Sequence, residues 1–340
     1  MNAKPGSDKQ PGSLNSSFIL HPSSLSIVIP SHRRADLLRL CLASVQRFAP
    51  PNTEVIVVDD CSRDAVVSCA AAEFAGVKVV RRAKAGGFCV AANAGIAVAT
   101  APVVELLNDD AEATAGWADA ALRWFADPRI VAVAPLVLQN DPGRIARGLP
   151  PLIDTAGDEY DMGGFATKRR GRVGDTEMGR QEQGLSFSHS PCLPLSPSLP
   201  LPQSVSTNHA GTVWGASAAA AFYRRDAIIE AGGFPEHFKA YFEDVDLSFR
   251  LRRLGGEVMY DPASVVWHRV SSSYGKRPSR RTLEQQSCNE ERVFWRNVRG
   301  LDRARWLPRH TAVLGGKAVK RLQEGTLLPW LLGRVRAALT

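Results

Sequence analysis

The chain has 340 residues, of which 44% are hydrophobic and 22% are charged, and its six cysteines form neither a CxxC pair nor a zinc-type spacing. This composition excludes a disulfide-rich secreted scaffold and a zinc finger. Apolar runs of about 20 residues, which a membrane-spanning helix needs, are absent, so a polytopic membrane protein is excluded as well. The polar start of the sequence shows no apolar signal segment, and we therefore expect a cytoplasmic protein.

The net charge of +8 is distributed unevenly along the chain. From Arg269 to Thr340 there are 16 Lys and Arg against five Asp and Glu, which gives +11, so the preceding 268 residues sum to −3. A slightly acidic body with a basic tail favours an anionic partner, such as a membrane surface, a nucleic acid or a phosphorylated substrate.

Short apolar runs alternate with helical patterns in the first half of the chain. Strands are predicted at 25–30, 54–58, 77–80, 102–107 and 130–134, with helices between them. This alternation predicts an α/β fold with a mostly parallel central sheet and helices on both faces. Ligands of such sheets bind beyond the carboxyl ends of the strands.

Composition divides the rest of the chain. Residues 1–24 are rich in Ser, Pro, Gly and Asn, which predicts a disordered N-terminal segment. A Pro- and Ser-rich tract at about 166–205 predicts a flexible insertion within a main domain that spans 25–300. Helical patterns return after the insertion, and residues 301–340 are predicted to form a basic helical tail.

Acidic pairs follow two of the predicted strands, at Asp59-Asp60 and at Asp109-Asp110. Crowded carboxylates repel each other, so they need either a cation or a structural reason. They would hold Mg²⁺ or Mn²⁺ together with a diphosphate, or they would cap the following helices. Two such pairs at one sheet edge favour the metal and phosphate interpretation.

A third acidic cluster, Glu243-Asp244-Val245-Asp246, begins a predicted helix. It would compensate the helix dipole or supply a carboxylate that takes a proton from an attacking hydroxyl. Two short strands are predicted later in the chain, at 258–260 and 265–268. His268 ends the second and is either a metal ligand or a structural histidine. Gly86-Gly87, before another helix, is compatible with a phosphate close to the backbone.

These residues lie in segments that resemble the family 2 glycosyltransferases, which have the GT-A fold. The segments occur in family order over about residues 25–300: 26–34 (SIVIPSHRR), 57–62 (VVDDCS), 86–95 (GGFCVAANAG), 106–111 (LLNDDA), 232–236 (GGFPE), 241–250 (YFEDVDLSFR) and 266–268 (VWH). Asn108-Asp109-Asp110 and the late Arg296-Asn297 pair are similar to the rhamnosyltransferase-like branch, which builds bacterial cell-surface polysaccharide.

The resemblance implies a nucleotide-diphosphate sugar as donor and a divalent metal, Mg²⁺ or Mn²⁺. It implies nucleotide-sugar contacts for Pro30, Ser31, His32, Arg34, Asp60, Gly87, Asn93 and Asp109. Asp110 would bind the metal, with His268 as a second ligand. Asp244 would be the general base of an inverting displacement, and Glu243 would support it or contact the acceptor.

We therefore expect a hexosyl- or deoxyhexosyltransferase that acts on a saccharide or a lipid-linked saccharide in cell-surface polysaccharide synthesis. A retaining enzyme and a catalytically inactive nucleotide-binding scaffold of the same fold remain alternatives. The sequence contains no recognised nucleic-acid module, which disfavours a nucleic-acid partner. The basic tail, with Leu and Trp among its Lys and Arg, would lie on the anionic inner face of a membrane or pack on its own domain as a solvated helix.

Overall fold

The computed structural model describes residues 24–169, 208–269 and 278–339. The strands in these ranges are β1 (Leu25–Ser31), β2 (Glu54–Asp59), β3 (Val77–Arg81), β4 (Val103–Leu107), β5 (Ala111–Ala113), β6 (Ile130–Gln139), β7 (Ile153–Thr155), β8 (Asp158–Asp161), β9 (Phe165–Lys168), β10 (Gly211–Val213), β11 (Ala220–Arg224) and β12 (Glu257–His268). The α-helices are α1 (Ala35–Phe48), α2 (Val66–Ala72), α3 (Phe88–Val98), α4 (Trp117–Leu122), α5 (Pro142–Ala146), α6 (Arg225–Glu230), α7 (Glu243–Arg253), α8 (Arg280–Asn297), α9 (Gly300–Gln323) and α10 (Leu327–Ala338).

One large sheet organises the molecule, in the strand order β10-β12-β6-β11-β4-β1-β2-β3. The strands β3, β2, β1 and β4 are parallel neighbours, and β6 and β12 form a second parallel pair. β11 lies antiparallel between β4 and β6 and joins the two parts. The predicted α/β architecture with a mostly parallel sheet, helices on both faces and further C-terminal helices is confirmed.

Apolar side chains cover both faces of the sheet, because successive residues of each central strand point to opposite faces and are apolar on both. In the fully buried β1, Ile27 and Ile29 pack with α1, α2 and α4, whereas Val28 packs with α3 on the opposite face. α3 approaches β1 closely at Gly95, where an added Cβ would lie 2.2 Å from Val28 Cγ1. Sheet and helices therefore form one packed body.

Register brings the acidic strand ends to one edge of the sheet. Ser31 at the end of β1 pairs with Asp59 at the end of β2, and β4 runs beside β1 toward Asp109 and Asp110. Since the strands are parallel, their polar carboxyl-terminal residues converge there.

Two sequence-based boundaries differ from the structure. The flexible insertion was predicted from about residue 166, but Phe165–Lys168 forms β9 against β8, and Arg169 is buried with its guanidinium donating to the Ala156 carbonyl. Residues 170–205 of that prediction, and residues 1–23 of the N-terminal one, lie outside the described residues. The separate strands predicted at 258–260 and 265–268 are one strand, β12, whose register shifts between Asp261 and Val265.

The basic tail contains two helices, α9 and α10, and α10 packs along α8. Ion pairs at 9–18% side-chain exposure join the three helices: Arg334 with Glu290 and Glu291, and Lys317 with Glu290. Within the described ranges, none of the helices combines the length and apolar composition that crossing a bilayer requires.

Candidate functional site

A cavity of about 1230 Å³ opens at the carboxyl ends of β1, β2 and β4. The predicted site residues that line it are Pro30, Ser31, His32, Arg34, Asp60, Gly87, Asp109, Asp110, Glu243, Asp244 and His268. Its volume exceeds the usual range of small-ligand pockets, about 300–1,000 Å³, and so leaves room for more than one ligand.

Asp109 and Asp110 share one cation, Arg34, at the end of β4. The Arg34 guanidinium donates to Asp109 Oδ1 and to Asp110 Oδ2, the latter at 2.6 Å, and Ser31 Oγ donates to Asp109 Oδ2 at 2.6 Å. Burial raises the pKa of Asp109 to about 6, although Arg34 and Ser31 act in the opposite direction. Arg34 therefore gives this end of the cavity a fixed positive charge that partly balances its acids.

Asp60 lines the cavity and also holds the loop before α3 in place through hydrogen bonds. Its carboxylate accepts hydrogen bonds from the backbone N–H groups of Gly86 (2.9 Å) and Gly87 (2.8 Å), while its carbonyl oxygen lies 2.7 Å from His32 Nδ1. Gly87 has φ +89°, a left-handed conformation that favours glycine. Asp60 thus holds the loop between β3 and α3 against the end of β2.

Asp110 and His268, the predicted metal ligands, lie next to each other on the cavity wall. Asp110 Oδ1 lies 3.2 Å from His268 Nε2, and two ligands about 2.1 Å from one ion at right angles lie about 3 Å apart. His268 Nδ1 lies 3.0 Å from Asp154 Oδ2, the arrangement in which a carboxylate orients a metal-binding imidazole. Lys168 Nζ completes the chain, 3.0 Å from the same Asp154 oxygen.

This donor set fits a cation that is shared with a ligand. Among the described residues no group of three or more His, Cys, Asp or Glu is arranged to hold a metal ion, so a diphosphate and water would have to complete the coordination of Asp110 and His268. Burial lowers the pKa of His268, but its hydrogen bonds to Asp110 and Asp154 outweigh this and raise the pKa to about 9. A cation bound at Nε2 would take the place of that proton.

Three carboxyl groups cluster on the other side of the cavity, at Glu243, Asp244 and Asp158. Asp244 Oδ2 accepts from the Ala218 N–H at 3.1 Å and Oδ1 from the Val245 N–H at 2.8 Å, which orients its carboxylate. Burial raises the pKa of Asp244 above its ordinary value despite these bonds.

The two neighbours of Asp244 are more strongly perturbed. Burial raises the pKa of Glu243 to about 8, and the Asp244 and Asp158 carboxylates act in the same direction. Burial and Asp244 raise the pKa of Asp158 in the same way. Glu243 Oε2 is buried without a hydrogen-bond partner among the described residues. Glu243 and Asp158 therefore retain protons near neutral pH.

The loop before α7 has an unusual backbone. Lys239, Tyr241 and Phe242 have φ values of 62°, 75° and 63°, which are rare for residues with side chains. Asn289 on α8 stabilises this loop, because its Nδ2 lies 2.9 Å from the carbonyl oxygens of Phe238 and Ala240 and 3.0 Å from that of Tyr241. α8 thereby fixes the entry to the helix that carries Glu243 and Asp244.

Asn93 is the one predicted donor-binding residue that does not line the cavity. Its side-chain amide forms a pair of hydrogen bonds with Phe234, accepting from the N–H at 2.8 Å and donating to the carbonyl at 2.9 Å. An added Cβ at Gly233 would lie 2.7 Å from Asn93 Oδ1. Asn93 thus joins α3 to the segment after α6, and a nucleotide-sugar contact by Asn93 stays a prediction.

Sequence reasoning missed Asp154, Asp158, Lys168 and Asn289. The first three lie in β7–β9, where hydrophobic periodicity is weak and the predicted flexible tract begins, and Asn289 lies within an ordinary amphipathic helix. Asp154 and Asp158 flank a turn at Gly157, which in retrospect is the one local signal. The roles of these residues depend on partners far away in sequence. Asp154 and His268 are 114 residues apart, and Asp158 and Asp244 are 86 apart. Asn289 lies 48–51 residues from the carbonyls that it contacts.

Residues 26–183 match a family model described as Glycosyl transferase family 2. The match contains Asp60, Asp109 and Asp110 but ends before Glu243 and Asp244. The predicted resemblance to this family is thereby confirmed.

Two curated relatives come from Mycobacterium tuberculosis. The chain is 27% identical over 248 residues to a pre-mycofactocin glycosyltransferase, covering 72% of this chain and 42% of that protein. It is 28% identical over 273 residues to an N-acetylglucosaminyl-diphospho-decaprenol L-rhamnosyltransferase, covering 75% of this chain and 79% of that protein. The chain thus spans less than half the length of the first relative and most of the second.

Solved structures share the fold. A mannosyltransferase, PcManGT from Pyrobaculum calidifontis, in complex with GDP-Man and Mn²⁺, superposes with a TM-score of 0.55 at 15% identity, covering 96% of this chain and 91% of that chain. GalNAc-T7 with UDP, GalNAc and Mn²⁺ gives a TM-score of 0.54 at 18% identity, covering 79% and 47%. At such identities the similarity establishes the architecture alone.

Proposed function

Because this chain carries a family 2 glycosyltransferase domain and has the GT-A fold, we propose that it transfers a sugar from a nucleotide-diphosphate sugar to an acceptor hydroxyl. The transferred sugar would be a hexose or a deoxyhexose, and the displacement would invert its anomeric centre.

A single observation carries this proposal. One cavity contains both the Arg34, Asp109 and Asp110 group at the end of β4 and the oriented carboxylate of Asp244, from a helix more than 130 residues later. Sugar transfer requires both groups in one cavity, since the first must hold the diphosphate of the donor and the second must deprotonate the acceptor hydroxyl.

On the donor side, Asp110 and His268 would hold a divalent cation, Mg²⁺ or Mn²⁺, with the diphosphate as a further ligand. When bound, such a cation supplies positive charge that neutralises the leaving diphosphate. Asp154 keeps His268 Nδ1 occupied and so presents Nε2 to the cavity. Ser31, His32 and Asp60 form the wall that would border the nucleotide.

On the acceptor side, Asp244 would take the proton of the attacking hydroxyl. Its raised pKa makes it a stronger base than an exposed aspartate. The backbone N–H of Ala218 holds its Oδ2, so the carboxylate keeps one orientation while the proton moves. Glu243 would remain protonated beside it and limit the negative charge near the base. A base opposite the leaving group would make the displacement a single, inverting step.

The proposed acceptor is a saccharide or a lipid-linked saccharide of cell-surface polysaccharide synthesis. The named activity of one relative, an N-acetylglucosaminyl-diphospho-decaprenol L-rhamnosyltransferase, supports this choice, at 28% identity. We place the reaction at the cytoplasmic, anionic face of a membrane, where such an acceptor would lie.

Donor hydrolysis without acceptor tests the proposal. With Mn²⁺ and a panel of UDP-, GDP- and dTDP-sugars, the wild-type protein should release nucleoside diphosphate from at least one donor. Asp244→Asn should bind that donor with unchanged affinity by calorimetry, while release falls at least about 100-fold because the general base is lost. Asp226→Asn, on the exposed first turn of α6, is the matched control and should hydrolyse normally.

Two outcomes would contradict the assignment. Normal turnover by Asp244→Asn would remove Asp244 from the mechanism. Nucleotide-sugar binding by the wild-type protein without any hydrolysis or transfer would instead favour the inactive scaffold.

A further inference from the structure

An uninterrupted apolar stripe covers the outer face of α10. Its members are 43–79% exposed and recur at the spacing i, i+3, i+4, i+7 and i+11: Leu328, Leu331, Leu332, Val335 and Leu339, the last directly after the helix. At 3.6 residues per turn these side chains occupy one face about 100° wide. A surface helix normally turns such a stripe toward the core, so its outward position needs a reason.

The inner face of α10 explains why the stripe points outward. An added Cβ at Gly333 would lie 2.4 Å from the Glu284 carbonyl oxygen, so glycine allows the helix to lie close against α8. Arg334 binds the Glu290 and Glu291 carboxylates, and Ser287 Oγ donates to the Trp330 carbonyl at 2.7 Å. Rotating α10 to bury the stripe would break all of these contacts, so its orientation is determined by the interface with α8.

The charges around α10 are positive. The helix contains no Asp or Glu, and Arg336 lies beside the stripe, 45% exposed and 3.5 Å from the Glu284 carboxylate on α8. Of the five acids in residues 269–340, Glu290 and Glu291 are buried in ion pairs with Arg334 and Lys317. These two carboxylates are therefore neutralised inside the helical layer, while residues 269–340 together carry +11. An outward apolar stripe within a basic surface is complementary to anionic headgroups above acyl chains.

We propose that the outer face of α10 docks on an anionic lipid bilayer. Leu328, Leu331, Leu332 and Val335 enter the boundary between headgroups and acyl chains, and Arg336, beside the stripe, contacts the headgroups. The inference deepens the proposed function, since a lipid-linked acceptor would lie on the same bilayer, but it is carried by the geometry and charge of α10 alone.

Sedimentation with vesicles tests this surface on the full chain. Vesicles of phosphatidylglycerol and phosphatidylcholine in equal parts should bind the wild-type protein, and pure phosphatidylcholine should bind it at least about tenfold more weakly. The triple variant Leu331→Gln, Leu332→Gln, Val335→Gln should lose at least about tenfold in affinity for the anionic vesicles. The matched control, Val98→Gln, Ile229→Gln, Leu254→Gln, changes three similarly exposed apolar residues on the body and should bind like the wild type.

Several results would overturn the proposal. These are no binding to anionic vesicles, equal binding by the α10 variant, and equal binding to neutral vesicles. A wild-type dimer in analytical ultracentrifugation that the α10 variant abolishes would assign the face to a second copy of the chain instead. Thermal unfolding of each variant verifies that it folds. Donor hydrolysis in vesicle-free solution is measured in parallel, so failure of the docking surface is distinguished from failure of the proposed activity.

Discussion

Carboxylates of the cavity differ in protonation because their partners differ. Asp109 and Asp110 face a guanidinium, and Asp154 faces an imidazole and an ammonium group, so these acids have cationic partners. Glu243 and Asp158 face other carboxyl groups, and they retain protons instead. Charge is thus concentrated at the end of the cavity near β4, while the end near α7 is kept close to neutral around the oriented carboxylate of Asp244.

At this scale Asp154 is the residue whose effect is easiest to isolate. Asp154→Asn should weaken Mn²⁺ binding, measured by calorimetry in the presence of UDP or GDP, by about 10–100-fold, because the carboxylate that orients His268 is lost. Asp161→Asn is the matched control, since Asp161 is four residues beyond the turn at Gly157 and pairs with Arg309. Equal Mn²⁺ affinity in the wild-type protein and Asp154→Asn would contradict this role for Asp154.

Among the elements, α8 connects the site to the C-terminal helices. One face of this helix contributes Asn289 to the loop before α7, and another contributes Ser287, Glu290 and Glu291 to the contacts with α9 and α10. The strained residues before Glu243 depend on this support, because nothing in their own sequence favours positive φ.

Removing the support should therefore affect both stability and activity. Asn289→Ala leaves the carbonyls of Phe238, Ala240 and Tyr241 without this donor, and the free energy of unfolding should fall by about 1–3 kcal/mol in urea titrations. Donor hydrolysis should also fall, since Glu243 and Asp244 follow this loop directly. Gln286→Ala, on the same helix but outside this set of hydrogen bonds, should change neither. Unaltered hydrolysis in a destabilised Asn289→Ala protein would show that the loop geometry does not need this clamp.

For the molecule as a whole, the buried carboxyl cluster makes stability depend on pH. The pKa of Glu243 rises from 4.5 to about 8 on folding, so above pH 4.5 the folded state holds a proton that the unfolded state has released. The stabilisation linked to the proton on Glu243 is fully present below pH 4.5 and is lost as the pH rises through 8.

The free energy of unfolding should therefore fall between pH 5 and pH 8, by about 1 kcal/mol per pH unit. The midpoint of thermal or urea unfolding should fall with it. Glu243→Gln, which keeps the shape and carries no charge, should flatten this slope. Glu230→Gln, at an exposed position on α6, should leave the slope as it is in the wild-type protein. Parallel slopes for Glu243→Gln and the wild type would mean that Glu243 is ionised in the folded protein.

The sequence by itself determined the α/β architecture, the acidic strand ends and the resemblance to the family 2 glycosyltransferases, because hydrophobic periodicity and short motifs are local properties. It also identified all the cavity-lining acids except Asp158. Asp60, Asp109 and Asp110 follow parallel strands, whose polar ends converge, and Glu243 and Asp244 lie in a motif that resembles the family.

Only the tertiary structure decided which distant residues meet. The role of Asp154 depends on the pairing of β7 with β6, the strand that also pairs with β12, and that of Asn289 depends on where α8 crosses a loop. The same holds for Asn93, whose short motif favours a ligand contact although its amide is used to join two segments of the chain. The outward face of α10 follows from Gly333 and Arg334 in their contact with α8, which no pattern within α10 reveals. Contacts between residues far apart in the chain depend on strand register and helix packing, and these are set by the whole core.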